Sequence, residues 1–347
     1  MRRKLLAVLV EISTQLWLRF PGEATRCPGC SSQRLCLLDA FPIPSTLDGR
    51  RVSFATGCED CGLLFSNPVP TRDELDRYYS REGEWASARE ERTKWIDAKY
   101  RRRLKKRRPP KVGKRRGARD VLLEELAAHL PTQTPPPGSK VLDVGCGDGK
   151  LLDRLQALGW RTYGIEPSTT VAFLRHHGLD APPQDGSFDF AILHHVLEHV
   201  TEPVDLLRQL ARSLREGGVL FLSVPRLDTL PVHRDYRYCL NGRTHVVGFS
   251  ETCLRGLLAR AGLTLTARLD DRLDVVLTDG KPLRLRLVAT RTETPAPFFA
   301  APLAPARRAL RAYARAGGFA SRIRMLLPVR VRAALLNRAK KGRRQSG

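Results

Sequence analysis

Val141-Leu142-Asp143-Val144-Gly145-Cys146-Gly147-Asp148-Gly149 decides the reading of this 347-residue chain. An apolar run ends in three glycines spaced two apart, and Lys150-Leu151-Leu152 then opens an amphipathic segment over residues 150–158. The pattern reads as buried strand, tight turn and helix. Glycine lets the backbone take positive φ and come close to a ligand. The first amides of the helix favour an anionic group such as a carboxylate.

Outward from this turn, strand and helix patterns alternate, which argues for a mostly parallel sheet. Strands are expected at residues 140–144, 161–165, 188–193, 219–224, 263–268 and 283–290. Helices are expected at 150–158, 169–177, 203–215 and 251–261. Upstream, Pro135-Pro136-Pro137-Gly138 marks a domain boundary. Residues 71–98 read as a helix with Thr71 as N-cap and Glu74 three residues on. Residues 120–130 form a short helix, and residues 5–20 an amphipathic one.

The second strand ends in Tyr163-Gly164-Ile165-Glu166-Pro167-Ser168. An acidic residue about 20 positions beyond a glycine turn can accept hydrogen bonds from ribose hydroxyls. Further on stand Gly186-Ser187-Phe188-Asp189-Phe190-Ala191-Ile192-Leu193-His194-His195-Val196-Leu197-Glu198-His199-Val200, then Leu214-Arg215-Glu216-Gly217-Gly218, and Phe249-Ser250. In this order and spacing the motifs resemble the class I S-adenosylmethionine-dependent methyltransferases over residues 138–290. The resemblance implies an α/β, Rossmann-like doubly wound sheet that binds S-adenosylmethionine. It also implies that Asp143 orders the turn, that Gly145, Cys146, Gly147 and Pro167 line the cofactor, that Glu166 holds the ribose, and that His194 abuts the cofactor. The third-strand region, residues 178–187, is shorter than the family pattern, and Asp180 or Asp185 stands in for the adenine contact.

Cys27-Pro28-Gly29-Cys30 and Cys58-Glu59-Asp60-Cys61 are two Cys-x-x-Cys knuckles with 27 residues between them. Four thiolates at this spacing suit a closed, structural zinc site. The alternative, a redox pair, lacks a thioredoxin-like strand and helix around it. Cys36 is off-pattern. The run from Gly62 through Asn67, Pro68 and Pro70 resembles methyltransferases with an N-terminal zinc-binding segment, many of which serve bacterial sugar, polysaccharide or secondary-metabolite pathways. The expected organisation is therefore an N-terminal helix (1–26), a small zinc ribbon (27–70), a helical and basic linker (71–137), the methyltransferase domain (138–297) and a basic tail (298–347).

The net charge of +24 is unevenly placed. Residues 94–119 carry net +13, residues 301–347 carry 13 basic and no acidic residues, and residues 120–300 are nearly neutral at −2. Such blocks act as solvated or interaction arms. They allow two alternatives to small-molecule or glycan-precursor methylation. One is an RNA methyltransferase gripping phosphates through ribbon and linker. The other is a non-catalytic protein held peripherally at a membrane by its tail. No stretch is long enough to span a bilayer, Glu11 interrupts the N-terminal apolar run, and the reading is cytoplasmic.

Methyl transfer is an in-line displacement at carbon and needs a base only where the nucleophile must lose a proton. Histidine suits that role. His195 and His245 are the candidate catalytic residues, with Glu198 and His199 beside them.

Overall fold

The computed structural model describes residues 26–38, 43–44, 52–80, 136–168, 176–227, 240, 244–268 and 284–292. The expected helices at 5–20 and 120–130, residues 81–98 of the one at 71–98, most of the one at 169–177, the basic linker and the basic tail lie outside these residues. The chain divides into two compact units, Met1–Pro70 with Arg226–Cys253 and Ala300–Gly347, and Thr71–Pro225 with Leu254–Phe299.

In the first unit, β1 (Leu35–Leu37), β2 (Ile43–Pro44), β3 (Val52–Cys58) and β4 (Leu64–Asn67) are joined by β10 (Val247–Gly248) from far along the chain. All pairings are antiparallel: β1, β2 and β4 on β3, and β10 on β4, with Val247 opposite Phe65. The main chain extends this last pairing, since Ser66 N donates to Val246 O at 2.9 Å. The sequence reading placed residues 245–250 inside a continuous 138–297 domain. The structure divides the chain differently: residues 226–253 fall in the first unit, where the backbone groups of β4 find partners. Such long-range pairing has no local signature.

The second unit is built on seven strands in the order β11-β12-β9-β8-β5-β6-β7. These are β5 (Lys140–Val144), β6 (Arg161–Ile165), β7 (His177–Gly178), β8 (Phe188–His194), β9 (Leu214–Pro225), β11 (Leu263–Arg268) and β12 (Arg284–Arg291). Strands β5 to β9 are parallel, whereas β12 is antiparallel to both β9 and β11. From β5 the chain winds outward to β6 and β7, then returns to β8 and β9 on the other side. The reversal leaves a crevice beyond the carboxyl end of β5, where ligands gather in such sheets.

Helices α1 (Arg72–Tyr79), α2 (Lys150–Ala157), α3 (Pro203–Ser213) and α4 (Glu251–Arg260) accompany the strands. The expected cap of α1 is present: Glu74 N donates to Thr71 Oγ1 and Thr71 N to Glu74 Oε2. Proline at the first position of α3 costs no helix hydrogen bond, and its buried Val204, Leu207, Leu210 and Ala211 recur at helical spacing. Leu151, Leu152 and Leu155 of α2 pack with Val141, Trp160, Phe190, Ile192, Phe221 and Val288 into one core. Central β8 is buried on both faces over its apolar run from Phe190 to Leu193.

The third strand is short, as expected, and begins on the last residue of the expected helix: His177 stands in β7 and not in a helix. Residues 179–187 then run to β8 with no helix among them. Side chains of α3 and of the link itself tie this stretch down. Ser213 Oγ donates to Pro183 O, while Gln184 Nε2 donates to Pro182 O at 2.7 Å and to Gln209 O at 3.4 Å.

Phe190 is 1% exposed against Trp160 at the centre of the core. Truncation to Phe190→Ala should cost about 3–5 kcal/mol, read as a lower urea midpoint. An unchanged midpoint would contradict this placement.

Candidate functional site

In the second unit, β5 delivers Asp143 and the glycine turn to the carboxyl edge of the sheet. Asp143 is 4% exposed and lies in register between Gly164 of β6 and Ile192 of β8. The turn is clasped to β6, because Gly145 N and Cys146 N both donate to Ile165 O, at 2.7 and 3.2 Å. Glu166 completes the clasp. Its Oε2 accepts from Gly147 N at 2.9 Å, and its Oε1 accepts from Ser168 N at 2.9 Å and from Ser168 Oγ. A carboxylate oxygen offers two acceptor positions, so Oε2 retains one for a hydroxyl.

Gly145 has φ +77°, and a Cβ there would lie 2.5 Å from Cγ2 of Val196. Gly164 is required for a different reason: its Cβ would meet Cys146 Sγ at 2.7 Å. Cys146 is pushed up to about 12 by burial and by the nearby charges of Asp143 and Glu166. It therefore remains a thiol and acts by packing.

A cavity of about 710 Å³ opens over this turn. That size suits a nucleoside-sized ligand with room beside it. Gly145, Cys146, Gly147, Glu166 and Pro167 form its floor. Leu75 and Tyr79 of α1 line it, as do His195, Val196, His199 and Val200 after β8, and Leu206 and Gln209 of α3. The sequence reading assigned α1 and α3 no part in the site. Their residues carried only an amphipathic helix signal, which does not say what the half-exposed side chains face.

The segment after β8 is unusual. His195 takes φ +56°, rare for a residue with a side chain, and its N–H donates to Ser223 O at 2.9 Å. Its Nδ1 lies 2.9 Å from Oε1 of Glu198, which is 1% exposed. His199 Nδ1 pairs with the Tyr79 hydroxyl at 2.8 Å. Burial, together with the charges of Tyr78, Glu198 and Glu166, raises the Tyr79 phenol well above its usual range and keeps it neutral.

Three other expected site residues, Asp185, His194 and His245, are not among the cavity's lining residues. Asp185 precedes β8 at the amino end of the sheet, where it accepts from Ser187 N. Parallel strands gather ligands at the opposite, carboxyl edge, and Asp185 is not among the cavity's lining residues. His194 ends β8 as expected, but its ring stacks on Phe221 and meets His195 edge-on, and it is not among the cavity's lining residues. His245 belongs to the first unit, two residues ahead of β10.

In the first unit, the two cysteine knuckles meet. All four sulfurs of Cys27, Cys30, Cys58 and Cys61 lie within 4.8 Å of one another, with Cys27–Cys61 and Cys30–Cys58 at 3.5 Å. Tetrahedral thiolate ligation at about 2.3 Å from a zinc ion would separate sulfurs by roughly 3.8 Å, so the set fits. Gly29 N donates to Cys27 Sγ at 3.3 Å. Burial pushes Cys30 up to about 12 while the Ser32 backbone draws it down. Cys61 is lowered, first by hydrogen bonding from Cys253 and then from Cys27 and Cys58, whereas hydrogen bonding to Cys58 and Cys61 raises Cys27. Crowded thiols cannot all ionise alone, and a divalent cation removes that conflict.

Residues 100–268 match the family model of a methyltransferase domain. The ubiquinone biosynthesis O-methyltransferase of Xanthomonas oryzae pv. oryzae (strain PXO99A) is 38% identical over 119 residues, 30% of this chain and 48% of that protein. Its counterpart in Xanthomonas campestris pv. campestris (strain B100) is 37% identical over 119 residues with the same shares of 30% and 48%. The chain thus spans about half the length of the curated relatives it matches. A solved structure, Burkholderia thailandensis 1,6-didemethyltoxoflavin-N1-methyltransferase with bound 1,6-didemethyltoxoflavin and S-adenosylhomocysteine, is 18% identical. It covers 73% of this chain and 100% of its own, with a TM-score of 0.42.

A Gly145→Ala exchange should distort the turn, since the added methyl meets Val196 and φ is unfavourable. The expected loss is about 1–3 kcal/mol of stability. Adding Val196→Ala should recover the steric part. Thermal melts of the single and double variants check this, and equal melting of the two would refute the clash.

Proposed function

We propose, from the premise that this chain carries a class I S-adenosylmethionine-dependent methyltransferase domain, that it transfers a methyl group to the hydroxyl of a small molecule. The observation that carries the proposal is the Glu166 clasp on the glycine turn at the floor of the cavity. Glu166, with an acceptor position to spare, would hold the ribose. The glycine turn would let the ligand come close to the backbone, Asp143 would order the turn beneath, and Cys146 and Pro167 would pack on the ligand. S-adenosylmethionine supplies, when bound, a methyl group on a positively charged sulfur.

The rest of the cavity is suited to the acceptor. Leu75, Val196, Val200 and Leu206 offer apolar surface. Among the described lining residues Asp76, Glu166, Glu202 and Asp205 are acidic and Arg72 is the cation, itself 3.7 Å from Asp76. This balance favours a neutral acceptor over a phosphate-bearing one. The O-methyltransferase names of the Xanthomonas relatives agree with a hydroxyl. Of the imidazoles weighed for removing its proton, His195 and His199 line the cavity, and we place the step at His195, whose Nε2 has no hydrogen-bond partner among the described residues. The membrane reading rested on the basic tail, and the RNA reading on the ribbon together with the basic linker; tail and linker lie outside the described residues. Among the described residues no helix is long and apolar enough to cross a membrane.

For the first unit we propose one structural zinc ion on Cys27, Cys30, Cys58 and Cys61. With all four positions taken by protein, the ion would have none left for a substrate.

Calorimetric titration should show S-adenosylhomocysteine binding the full chain, and Glu166→Ala should weaken it about tenfold or more, or about 1.4 kcal/mol. No binding at millimolar ligand would overturn the methyltransferase activity. Metal analysis of the purified chain should find about one zinc per molecule. Cys58→Ser should lose it and melt earlier, whereas metal-free protein of unchanged stability would refute the zinc site.

A further inference from the structure

We infer that Glu198 is the positioning residue that makes His195 a proton acceptor, fixing the imidazole as the tautomer protonated at Nδ1. The inference rests on the methyltransferase reading above. Glu198 sits in a single turn of 3-10 helix, Leu197–His199, with only 1% of its surface exposed. A carboxylate that deep is costly unless hydrogen-bonded donors surround it. Two imidazoles flank it: His195 Nδ1 lies 2.9 Å from Oε1, and His199 Nε2 lies 3.9 Å from the same oxygen. The far nitrogen of His199 is engaged by the Tyr79 hydroxyl. His199 is thus held from α1, and its edge walls the carboxylate in.

An ionised carboxylate only accepts. The proton in the short contact therefore belongs to His195 Nδ1, which leaves Nε2 as a lone pair. That Nε2 is shielded from solvent and has no hydrogen-bond partner among the described residues. Its ring lines the cavity. The ring is set from two sides, by Glu198 and by a main chain held in the left-handed region through the bond to Ser223 O. Structural histidines are generally satisfied at both nitrogens. Here one is strained into place and then left open, the arrangement of a base oriented by a carboxylate.

The step balances. As the acceptor oxygen forms its bond to the methyl carbon, the carbon–sulfur bond breaks and its electron pair stays on sulfur, which becomes neutral. The hydroxyl proton passes to His195 Nε2, and the imidazolium formed is offset by the Glu198 charge.

Nitrogen NMR of the full chain labelled at histidine tests this, with His195→Asn assigning the signal, since Asn tolerates positive φ. The expected result is a protonated Nδ1 and an unprotonated Nε2 in the native protein. Glu198→Gln should erase that preference, with S-adenosylhomocysteine affinity held within about threefold, or about 0.65 kcal/mol. A merely structural Glu198 would not set the tautomer. The inference is overturned by a native Nε2–H tautomer, by a tautomer unchanged in Glu198→Gln, or by Mg2+ or Zn2+ shifting the His195 and His199 signals as metal ligands would. The native spectrum alone decides if the variant does not fold. Absent S-adenosylhomocysteine binding would sink the methyltransferase activity instead, which keeps the two failures distinct.

Discussion

Glu166 makes three hydrogen bonds with two oxygens, and the geometry of the cavity floor depends on them. One oxygen grips Gly147 in the turn after β5, and the other grips Ser168 just beyond β6. Two neighbouring parallel strands are thereby pinned at their carboxyl ends, with the Ile165 carbonyl receiving the other amides of the turn. A glycine turn unsupported in this way would be a flexible loop. Held, it is a preorganised cradle whose ordering cost was met on folding rather than on binding.

The remainder of the site grows from the same edge of the sheet. Parallel pairing in register brings Val144, Ile165 and Leu193 side by side. Gly145 and Glu166, which follow Val144 and Ile165, and His195, two residues after Leu193, therefore converge although they come from three separate parts of the chain. Convergence at strand ends is the reason this fold carries chemistry in its loops while its strands supply rigidity. The core of Leu152, Leu155, Phe190, Ile192 and Phe221 keeps that edge in place.

Much of this was legible beforehand. The glycine spacing, Glu166 and the apolar run of β8 marked strands, turn and ligand edge, because buried parallel strands and tight turns each demand particular residues. The Thr71–Glu74 cap was readable for the same reason: its hydrogen bonds close within four residues. The cysteine knuckles were equally local. The differences followed distance. Asp185 was attractive by type, but the strand direction sets it ahead of β8, away from the cavity lining. His177 lay where a helix pattern met a two-residue edge strand, too short to show a period.

What the sequence determined by itself was therefore the chemistry available and the local shape presenting it: a glycine turn with an acid beyond it, four thiols in two knuckles, and a His-rich strand end. What only the tertiary structure decided was which of these meet. It drew residues 226–253 into the first unit through the pairing of β10 with β4. It set Tyr79 of α1 against His199 across 120 positions. It buried Glu198 against His195, so that two ordinary residues became a polarised pair. The physical reason is that local hydrogen bonds and periodicity are written in neighbouring residues, whereas burial and long-range pairing depend on the packed chain as a whole.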